Sequence, residues 1–345
     1  MKQSKVLLIY TGGTIGMIED PETGALTAFD FDHLSDQIPE LSRINAELKV
    51  VSMGMPIDSS DMNPMIWQDI AQQVVDQYEL FDGFVVLHGS DTMAFTASAL
   101  SYMLQGIKKP VILTGSQLPI GTIRTDGKEN LITSIEIAAS KDKNDESIIQ
   151  EVAIYFEYSL YRGNRTSKVS AHAFEAFVSP NYLELAVAGV DIKYNSSAFY
   201  KTTLPELDYK FKMDDRVALM KIFPGFSTHV YKSMFDIEKV KAVVIESFGA
   251  GNVPNNTEFF KMIKDYIEAG GIVINITQCS SGSVSLGKYA NSTMLKEIGV
   301  LSGEDLTTEA AITKIMYLLG NYTQTEDINR LMQSSLVGEL TEYTL

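Results

Sequence analysis

Short runs of β-branched and aliphatic residues recur along the chain, and each ends in a small or polar turn. The runs do not alternate strictly between apolar and polar positions, which predicts strands that are buried on both faces. The prominent runs are residues 6–10, 83–87, 110–113, 152–156, 243–245 and 272–276.

Helical periodicity separates these strand runs. Asn63 is placed to cap a helix, with Pro64 at the first helical position, where the missing N–H of proline costs nothing. Ile66, Ile70 and Val74 then lie on one face of that helix. Further helices are predicted over residues 92–104, 259–269 and 309–319.

The alternation of strands and helices predicts an α/β fold with right-handed crossovers. A length of 345 residues exceeds one ordinary core and fits two domains. The pattern weakens over residues 191–212, which are polar and irregular. We predict a larger N-terminal domain over residues 1–190, with a mainly parallel sheet flanked by helices. A linker over 191–212 and a smaller C-terminal α/β domain over 213–345 complete the expected organisation.

Charge and cysteine content narrow the classes of function. The chain has 28 basic and 44 acidic residues, a net charge of −16 that would repel nucleic acid and anionic membranes. The single cysteine, Cys279, excludes an intrachain disulfide and suits a reducing compartment. The first apolar run is too short for a signal peptide, and no run is long enough to span a bilayer. We therefore expect a cytoplasmic protein with neither nucleic acid nor membrane as a partner.

Polar side chains follow several predicted strands, where an open α/β sheet places its ligand. The glycine-rich segment TGGTIG at residues 11–16 has neither the spacing of a dinucleotide fingerprint nor the ending of a P-loop. Its remaining functional interpretation is a flexible loop that presents Thr14, and the alternative is a plain strand-to-loop turn. The other strand ends carry DSSD at 58–61, HGSDT at 88–92 and YRGNRTSK at 161–168.

A threonine hydroxyl is a weak nucleophile and needs a group that removes its proton. Lys168 and Asp91, bridged by Ser90, could form such a group without a histidine. Asp91 could equally act only as a helix cap. These residues alone therefore indicate a hydrolase or a binder of a small polar ligand.

Five segments together resemble the L-asparaginase family, and specifically its cytoplasmic type I branch. The resemblance extends over essentially the whole chain and includes two threonine motifs in order, with a lysine segment behind them. The segments are TGGTIGM at 11–17, DSSDM at 58–62, HGSDTMA at 88–94, LTGSQ at 113–117 and YRGNRTSK at 161–168.

The resemblance implies a role for each matching residue. Thr14 resembles the nucleophile that forms an aspartyl ester with asparagine, and Ser90, Asp91 and Lys168 resemble the residues that move the proton. Asp91 also resembles the acceptor of the substrate's α-ammonium group. The segment Asp58, Ser59 and Ser60 resembles the one that holds the α-amino acid end. Backbone N–H groups near Thr14 and Ser90 are expected to stabilise the oxyanion. No metal or organic cofactor is implied, and a homodimer or homotetramer is expected.

Two departures from the family pattern concern catalysis. Position 90 is serine where the family usually has threonine, so the hydroxyl is kept but a methyl that fixes its rotamer is lost. The loop at residues 21–27 lacks the tyrosine that many members carry. Tyr289 resembles a tyrosine that some type I relatives bring to the site instead, and a packing role for it is an equal alternative.

A third departure concerns regulation. Cytoplasmic relatives can bind asparagine at an allosteric site, and Cys279 matches a residue of that region. Glu246 stands where an arginine is expected, and it would repel the carboxylate that arginine binds. We therefore expect allosteric activation to be weakened or absent.

Three alternative functions are to be weighed against this sequence. A glutaminase or a mixed asparaginase–glutaminase would use the same chemistry, since one methylene discriminates by only about 1–3 kcal/mol. The asparaginase-like subunit of a tRNA-dependent amidotransferase would carry an extra N-terminal domain, for which we expect no room before residue 11. A non-catalytic asparagine sensor would not require Thr14, Asp91 and Lys168 together.

Overall fold

The computed structural model describes residues 3–19, 26–28, 38–287 and 290–342. The chain divides between Tyr209 and Lys210 into an N-terminal unit and a C-terminal unit. Across the described residues, no helix combines the length and the apolar character needed to cross a bilayer.

The N-terminal unit is an α/β unit whose described helices and strands are as follows. Its strands are β1 (Ser4–Gly12), β2 (Met17–Glu19), β3 (Leu26–Ala28), β4 (Ala46–Ile57), β5 (Gly83–Leu87), β6 (Leu104–Gln105), β7 (Val111–Thr114), β8 (Val152–Phe156), β9 (Ser159–Arg162), β10 (Ser167–Lys168), β11 (Phe177–Val178), β12 (Ala186–Ala188), β13 (Ile192–Tyr194) and β14 (Asp208–Tyr209). Its helices are α1 (Pro64–Asp76), α2 (Met93–Met103) and α3 (Gly127–Ala139).

Eight of these strands form one sheet in the order β13-β12-β9-β8-β7-β5-β1-β4. The strands from β4 to β8 in this order pair in parallel, whereas β9, β12 and β13 pair antiparallel. The predicted N-terminal fold class, a mainly parallel sheet with helices, is confirmed.

Burial explains why the sequence predicts the central strands so closely. Every residue of β5 and β8 is buried, as expected for strands covered on both faces. Helix α1 begins where predicted, because the Asn63 side chain accepts hydrogen bonds from the N–H groups of Met65 and Ile66, at 3.0 and 3.3 Å.

The C-terminal unit repeats the architecture on a smaller scale. Its strands, β15 (Val217–Lys221), β16 (Ala242–Ser247), β17 (Ile272–Thr277) and β18 (Leu301–Ser302), form a parallel sheet in that order. Its helices are α4 (Thr228–Tyr231), α5 (Thr257–Glu268), α6 (Ala290–Glu297), α7 (Thr308–Asn321) and α8 (Thr325–Met332). The predicted smaller C-terminal α/β domain is confirmed.

Most of the segment predicted as a linker, residues 191–212, lies inside the N-terminal unit. β13 extends the main sheet by pairing with β12, and Tyr200 N–H donates to the Glu151 carboxylate at 2.8 Å. Arg162, paired with Glu151 at 2.7 Å, donates to the Ala198 carbonyl. These polar anchors hold a segment whose weak apolar pattern resembles that of a linker.

A buried ion pair fastens the end of the C-terminal unit. Lys314 Nζ lies 2.6 Å from Glu339 Oε1, and neither side chain is exposed. The ammonium also donates to the carbonyls of Met332 and Ser334, while the carboxylate accepts from the Leu336 and Val337 N–H groups. Burial raises the pKa of Glu339, but Lys314 and these donors outweigh it and hold that pKa below its usual value.

Replacing Lys314 by methionine is expected to lower the free energy of unfolding of this unit by about 3–5 kcal/mol, because it leaves a buried carboxylate without its cation. Urea unfolding followed by circular dichroism would measure the loss. Lys261→Met is the matched control, since Lys261 pairs with Asp265 on the exposed surface of α5. Equal stability of the two variants would contradict the prediction.

Candidate active site

Three loops meet at the carboxyl edge of the N-terminal sheet, following the neighbouring strands β5, β1 and β4. Gly13 has a φ of 84°, in the left-handed region that favours glycine, and a Cβ there would collide with the Gly89 amide nitrogen. A Cβ at Gly89 would in turn lie 2.6 Å from Ser59 Oγ. Two glycines therefore allow the first threonine motif, the DSSD segment and the HGSDT segment to touch.

The first of these loops presents Thr14. This residue is half-buried and begins a single 3₁₀ turn, Thr14–Gly16, in which the Gly16 N–H donates to the Gly13 carbonyl at 3.1 Å. Ile15, the middle residue of the turn, is fully buried and holds the turn against the core. The threonine hydroxyl is thus attached to a fixed turn that packs against the HGSDT loop.

Lys168 joins the predicted proton-transfer residues directly. Its Nζ donates to Ser90 Oγ at 2.8 Å and lies 2.6 Å from Asp91 Oδ1. The lysine side chain is 14% exposed, whereas that of Asp91 is 70% exposed, so the cation is sheltered and the carboxylate faces outward. The structure therefore brings Lys168 to Ser90 and Asp91, which lie 78 and 77 positions earlier in the sequence.

The DSSD segment forms a second 3₁₀ turn, Ser59–Asp61, capped by Asp58. Asp58 Oδ1 accepts from the Ser60 N–H at 2.9 Å, and this bond, with a further one from the Ser60 side chain, lowers the pKa of Asp58. Asp58 and Ser60 are exposed, whereas Ser59 is buried beneath Gly89. The exposed pair is thus available to a ligand, and Ser59 contacts the neighbouring loop.

Thr92 is a positioning residue that the sequence analysis did not identify. Its hydroxyl donates to the Ser59 carbonyl at 2.7 Å and so ties the HGSDT loop to the DSSD turn. Its place at the start of α2 suggests an N-cap, but the side chain makes no capping hydrogen bond within that helix. This long-range role leaves no local signal in the sequence.

The remaining predicted residues lie elsewhere. Tyr289 lies outside the described residues. Glu246, in the C-terminal unit, is 9% exposed and lies 3.2 Å from Lys221 Nζ, and it accepts from the Thr308 hydroxyl at 2.6 Å. Cys279 is an exposed free thiol of the same unit. Over the described part of the chain, no group of three or more His, Cys, Asp and Glu residues is arranged to hold a metal ion.

His88, the first residue of the HGSDT segment, is fully buried. Burial disfavours the imidazolium and lowers the pKa of His88 from 6.5 to about 4, against a smaller opposing effect of the hydrogen bond to the Gly89 carbonyl. The unfolded chain therefore takes up a proton at this residue below about pH 6.5, whereas the folded chain does so only near pH 4.

It follows that the N-terminal unit loses stability on acidification. His88 contributes a stabilisation that is complete above pH 6.5 and declines by about 1.4 kcal/mol per pH unit, or about 3 kcal/mol in all, as the pH falls to 4. Urea unfolding followed by fluorescence of Trp67, the single tryptophan, would measure it. Between pH 6.5 and pH 4, the free energy of unfolding of His88→Gln is expected to fall by about 3 kcal/mol less than that of the wild type. The exposed-histidine control His229→Gln is expected to keep the wild-type slope, and equal slopes for both variants would contradict the assignment.

Comparison with known proteins covers both units. Residues 5–200 match the family model described as asparaginase, N-terminal, and residues 216–332 match the model described as glutaminase/asparaginase C-terminal domain. The chain is 40% identical to L-asparaginase 1 of Escherichia coli K12 over an alignment of 345 positions, which covers 99% of each protein.

Solved structures agree with the sequence comparison. The crystal structure of L-asparaginase I from Vibrio cholerae superposes with a TM-score of 0.88 at 36% identity, covering 99% of this chain and all of the other. The thermostable L-asparaginase from Thermococcus kodakarensis superposes with a TM-score of 0.87 at 29% identity, covering 98% of this chain and all of the other.

Proposed function

The chain belongs to the asparaginase family, and from this membership we propose that it hydrolyses the side-chain amide of L-asparagine to L-aspartate and ammonia. It is a hydrolase that acts on a linear carboxamide C–N bond. The observation that carries the proposal is the meeting of the Thr14 loop with a loop whose Ser90 and Asp91 are both in contact with Lys168.

Thr14 is the nucleophile in this proposal. Its Oγ attacks the amide carbon of asparagine, and backbone N–H groups of the two facing loops stabilise the negative charge that develops on the amide oxygen. The C–N bond then breaks, and ammonia leaves with the proton that came from the threonine hydroxyl. Water hydrolyses the resulting aspartyl ester, which restores the hydroxyl and releases aspartate.

Ser90, Asp91 and Lys168 move the proton. Lys168 donates to Ser90 Oγ, so the proton of the serine hydroxyl points away from the lysine and towards other acceptors. In this step Lys168 acts in its amine form: its nitrogen takes up the proton of Thr14, Asp91 stabilises the ammonium that results, and the proton then returns to the leaving nitrogen. The exposed carboxylate of Asp91 has a free side on which to accept the substrate's α-ammonium group.

Asp58, Ser59 and Ser60 complete the substrate site. The lowered pKa of Asp58 keeps its carboxylate ionised, which suits contact with an ammonium group. Ser60 is exposed beside it, and Ser59 supports the Gly89 backbone. Tyr289 is retained as a proposed catalytic residue on the resemblance of its segment alone.

Purified protein is expected to release ammonia from asparagine with kcat/KM at least about tenfold above that for glutamine, the difference that one misplaced methylene produces. A coupled ammonia assay with both amides would measure it. Equal values would identify a mixed asparaginase–glutaminase. Binding of asparagine without ammonia release would identify a sensor and contradict the proposal.

The same assay tests regulation. In the C-terminal unit, the Glu246 carboxylate lies 3.2 Å from Lys221 Nζ and accepts from the Thr308 hydroxyl, and it stands where the resemblance predicts the arginine that binds an amino acid carboxylate. We expect a hyperbolic asparagine saturation curve. A sigmoidal curve that Cys279→Ala abolishes would contradict this expectation.

We further propose that the protein acts in the cytoplasm as a homodimer or homotetramer. A single exposed thiol and no possible intrachain disulfide suit a reducing compartment. Analytical ultracentrifugation would distinguish the two assemblies from a monomer.

A further inference from the structure

A buried chain of hydrogen bonds lies beneath the HGSDT loop, and the proposed mechanism does not use it. Trp67 Nε1 donates to Thr96 Oγ1 at 2.9 Å, and Thr96 Oγ1 lies 2.9 Å from His88 Nε2. His88 Nδ1 lies 2.6 Å from the carbonyl oxygen of Gly89. We call these four residues the buried relay. It links α1 and α2 to the backbone immediately before Ser90.

The direction of each hydrogen bond in the buried relay is fixed by chemistry. A carbonyl oxygen only accepts, so His88 Nδ1 must carry a proton. The indole N–H of Trp67 only donates, so Thr96 Oγ1 accepts from it. Burial keeps the imidazole neutral at pH 7, so a ring protonated at Nδ1 has a bare Nε2 that accepts from the Thr96 hydroxyl. His88 is therefore a neutral imidazole in one tautomer, the Nδ1–H form.

The buried relay ends on the peptide that carries the site. Gly89 has no side chain to restrict its backbone, and Gly13 packs against its amide nitrogen. The hydrogen bond from His88 holds the carbonyl of the same residue. The direction of this peptide sets where the next residues, Ser90 and Asp91, approach Lys168.

We propose that His88 is a positioning residue, whose Nδ1–H holds the Gly89 carbonyl and so places Ser90 and Asp91 for proton transfer and ammonium binding. This inference rests on the proposed function, since its effect on rate is meaningful only for that site. The rival explanation is that His88 merely fills space below the loop.

Substitutions at position 88 separate the two explanations. Glutamine can donate an N–H to the Gly89 carbonyl, whereas leucine fills a similar volume and cannot donate. Positioning predicts that His88→Gln retains more activity than His88→Leu, which is expected to lose roughly 10- to 100-fold in kcat/KM for asparagine. Space filling predicts the reverse order, because a buried amide has more polar groups to satisfy than leucine has.

Further variants and controls complete the steady-state experiment. Thr96→Val removes the donor to Nε2 with little change in volume, and we expect an intermediate loss together with a shifted Trp67 emission. Substitutions of His88 are expected to change both kcat and KM. They displace Ser90, which takes part in proton transfer, and Asp91, which binds the substrate. His229→Gln, in the C-terminal unit, is expected to leave activity unchanged. Thermal melting of every variant identifies any that fails to fold.

The tautomer of His88 can be measured directly, without any catalytic turnover. Nitrogen NMR of protein labelled in histidine is expected to show one Nδ1–H tautomer, absent from His88→Gln. An Nε2–H tautomer, or wild-type kcat/KM in folded His88→Leu, would overturn the inference. If the wild type releases no ammonia, the proposed function fails, while the tautomer and a titration with aspartate followed by Trp67 fluorescence still test the buried relay.

Discussion

Replacing Thr14 by alanine is expected to lower kcat for asparagine by roughly 10⁴-fold or more, the scale seen when a hydrolase loses its nucleophile. Aspartate binding is expected to persist, because Asp58, Ser60 and Asp91 are unchanged. Thr14→Ser keeps a hydroxyl but loses the methyl that restricts its rotamer, so it is expected to fall between alanine and wild type.

Three measurements would establish this result for Thr14. Ammonia release gives kcat, and titration with aspartate gives binding of the product. Acid quenching during turnover, followed by mass spectrometry, is expected to find an aspartyl ester on the wild-type peptide that contains Thr14. Thr202→Ala is a matched control, because Thr202 belongs to none of the segments proposed for the site and its hydroxyl accepts a local bond from the Leu204 N–H. Near-normal turnover by Thr14→Ala, with no adduct in the wild type, would refute the mechanism.

Strands could be predicted from the sequence where both faces of the strand are buried. β5 and β8 read as unbroken apolar runs because both faces of each strand are covered. β4 has no such run. Among the described strands it lies at one edge of the sheet, next to β1. Its residues are exposed or half-buried, so polar residues such as Glu47 and Lys49 interrupt the pattern.

The residues of the site show a different limit on what can be predicted from the sequence. The rule that ligands lie beyond the carboxyl ends of strands indicates that the loops after β1, β4 and β5 share an edge. The contact between Lys168 and Ser90 joins residues 78 positions apart and has no local signal. The strand-end positions made Lys168 a candidate partner of Asp91, and the resemblance to a family gave it a role, but neither gave the contact itself. His88 and Thr92 escaped both approaches, because their roles depend on hydrogen bonds that exist only once α1, α2 and the loops are packed.

Replacing Lys168 by methionine is expected to lower kcat by roughly 10²- to 10⁴-fold, the range in which a positioned proton-transfer group contributes. Methionine keeps most of the volume of the side chain and removes the contacts with both Ser90 and Asp91. Lys141→Met is a close control, because Lys141 is 13% exposed and pairs with Asp82 at 3.0 Å, which reproduces the burial and pairing of Lys168 away from the site.

Arginine at position 168 separates the two tasks of the lysine. A guanidinium keeps the positive charge beside Asp91 but does not release a proton at any pH the protein survives. If Lys168 takes part in proton transfer, Lys168→Arg should have a KM nearer to wild type than Lys168→Met has, while its kcat stays as low. If the lysine only holds Asp91 in place by charge, arginine should restore kcat as well. A loss in Lys168→Met no greater than that in Lys141→Met would exclude both tasks, because the cost would then be that of breaking any sheltered lysine–aspartate pair.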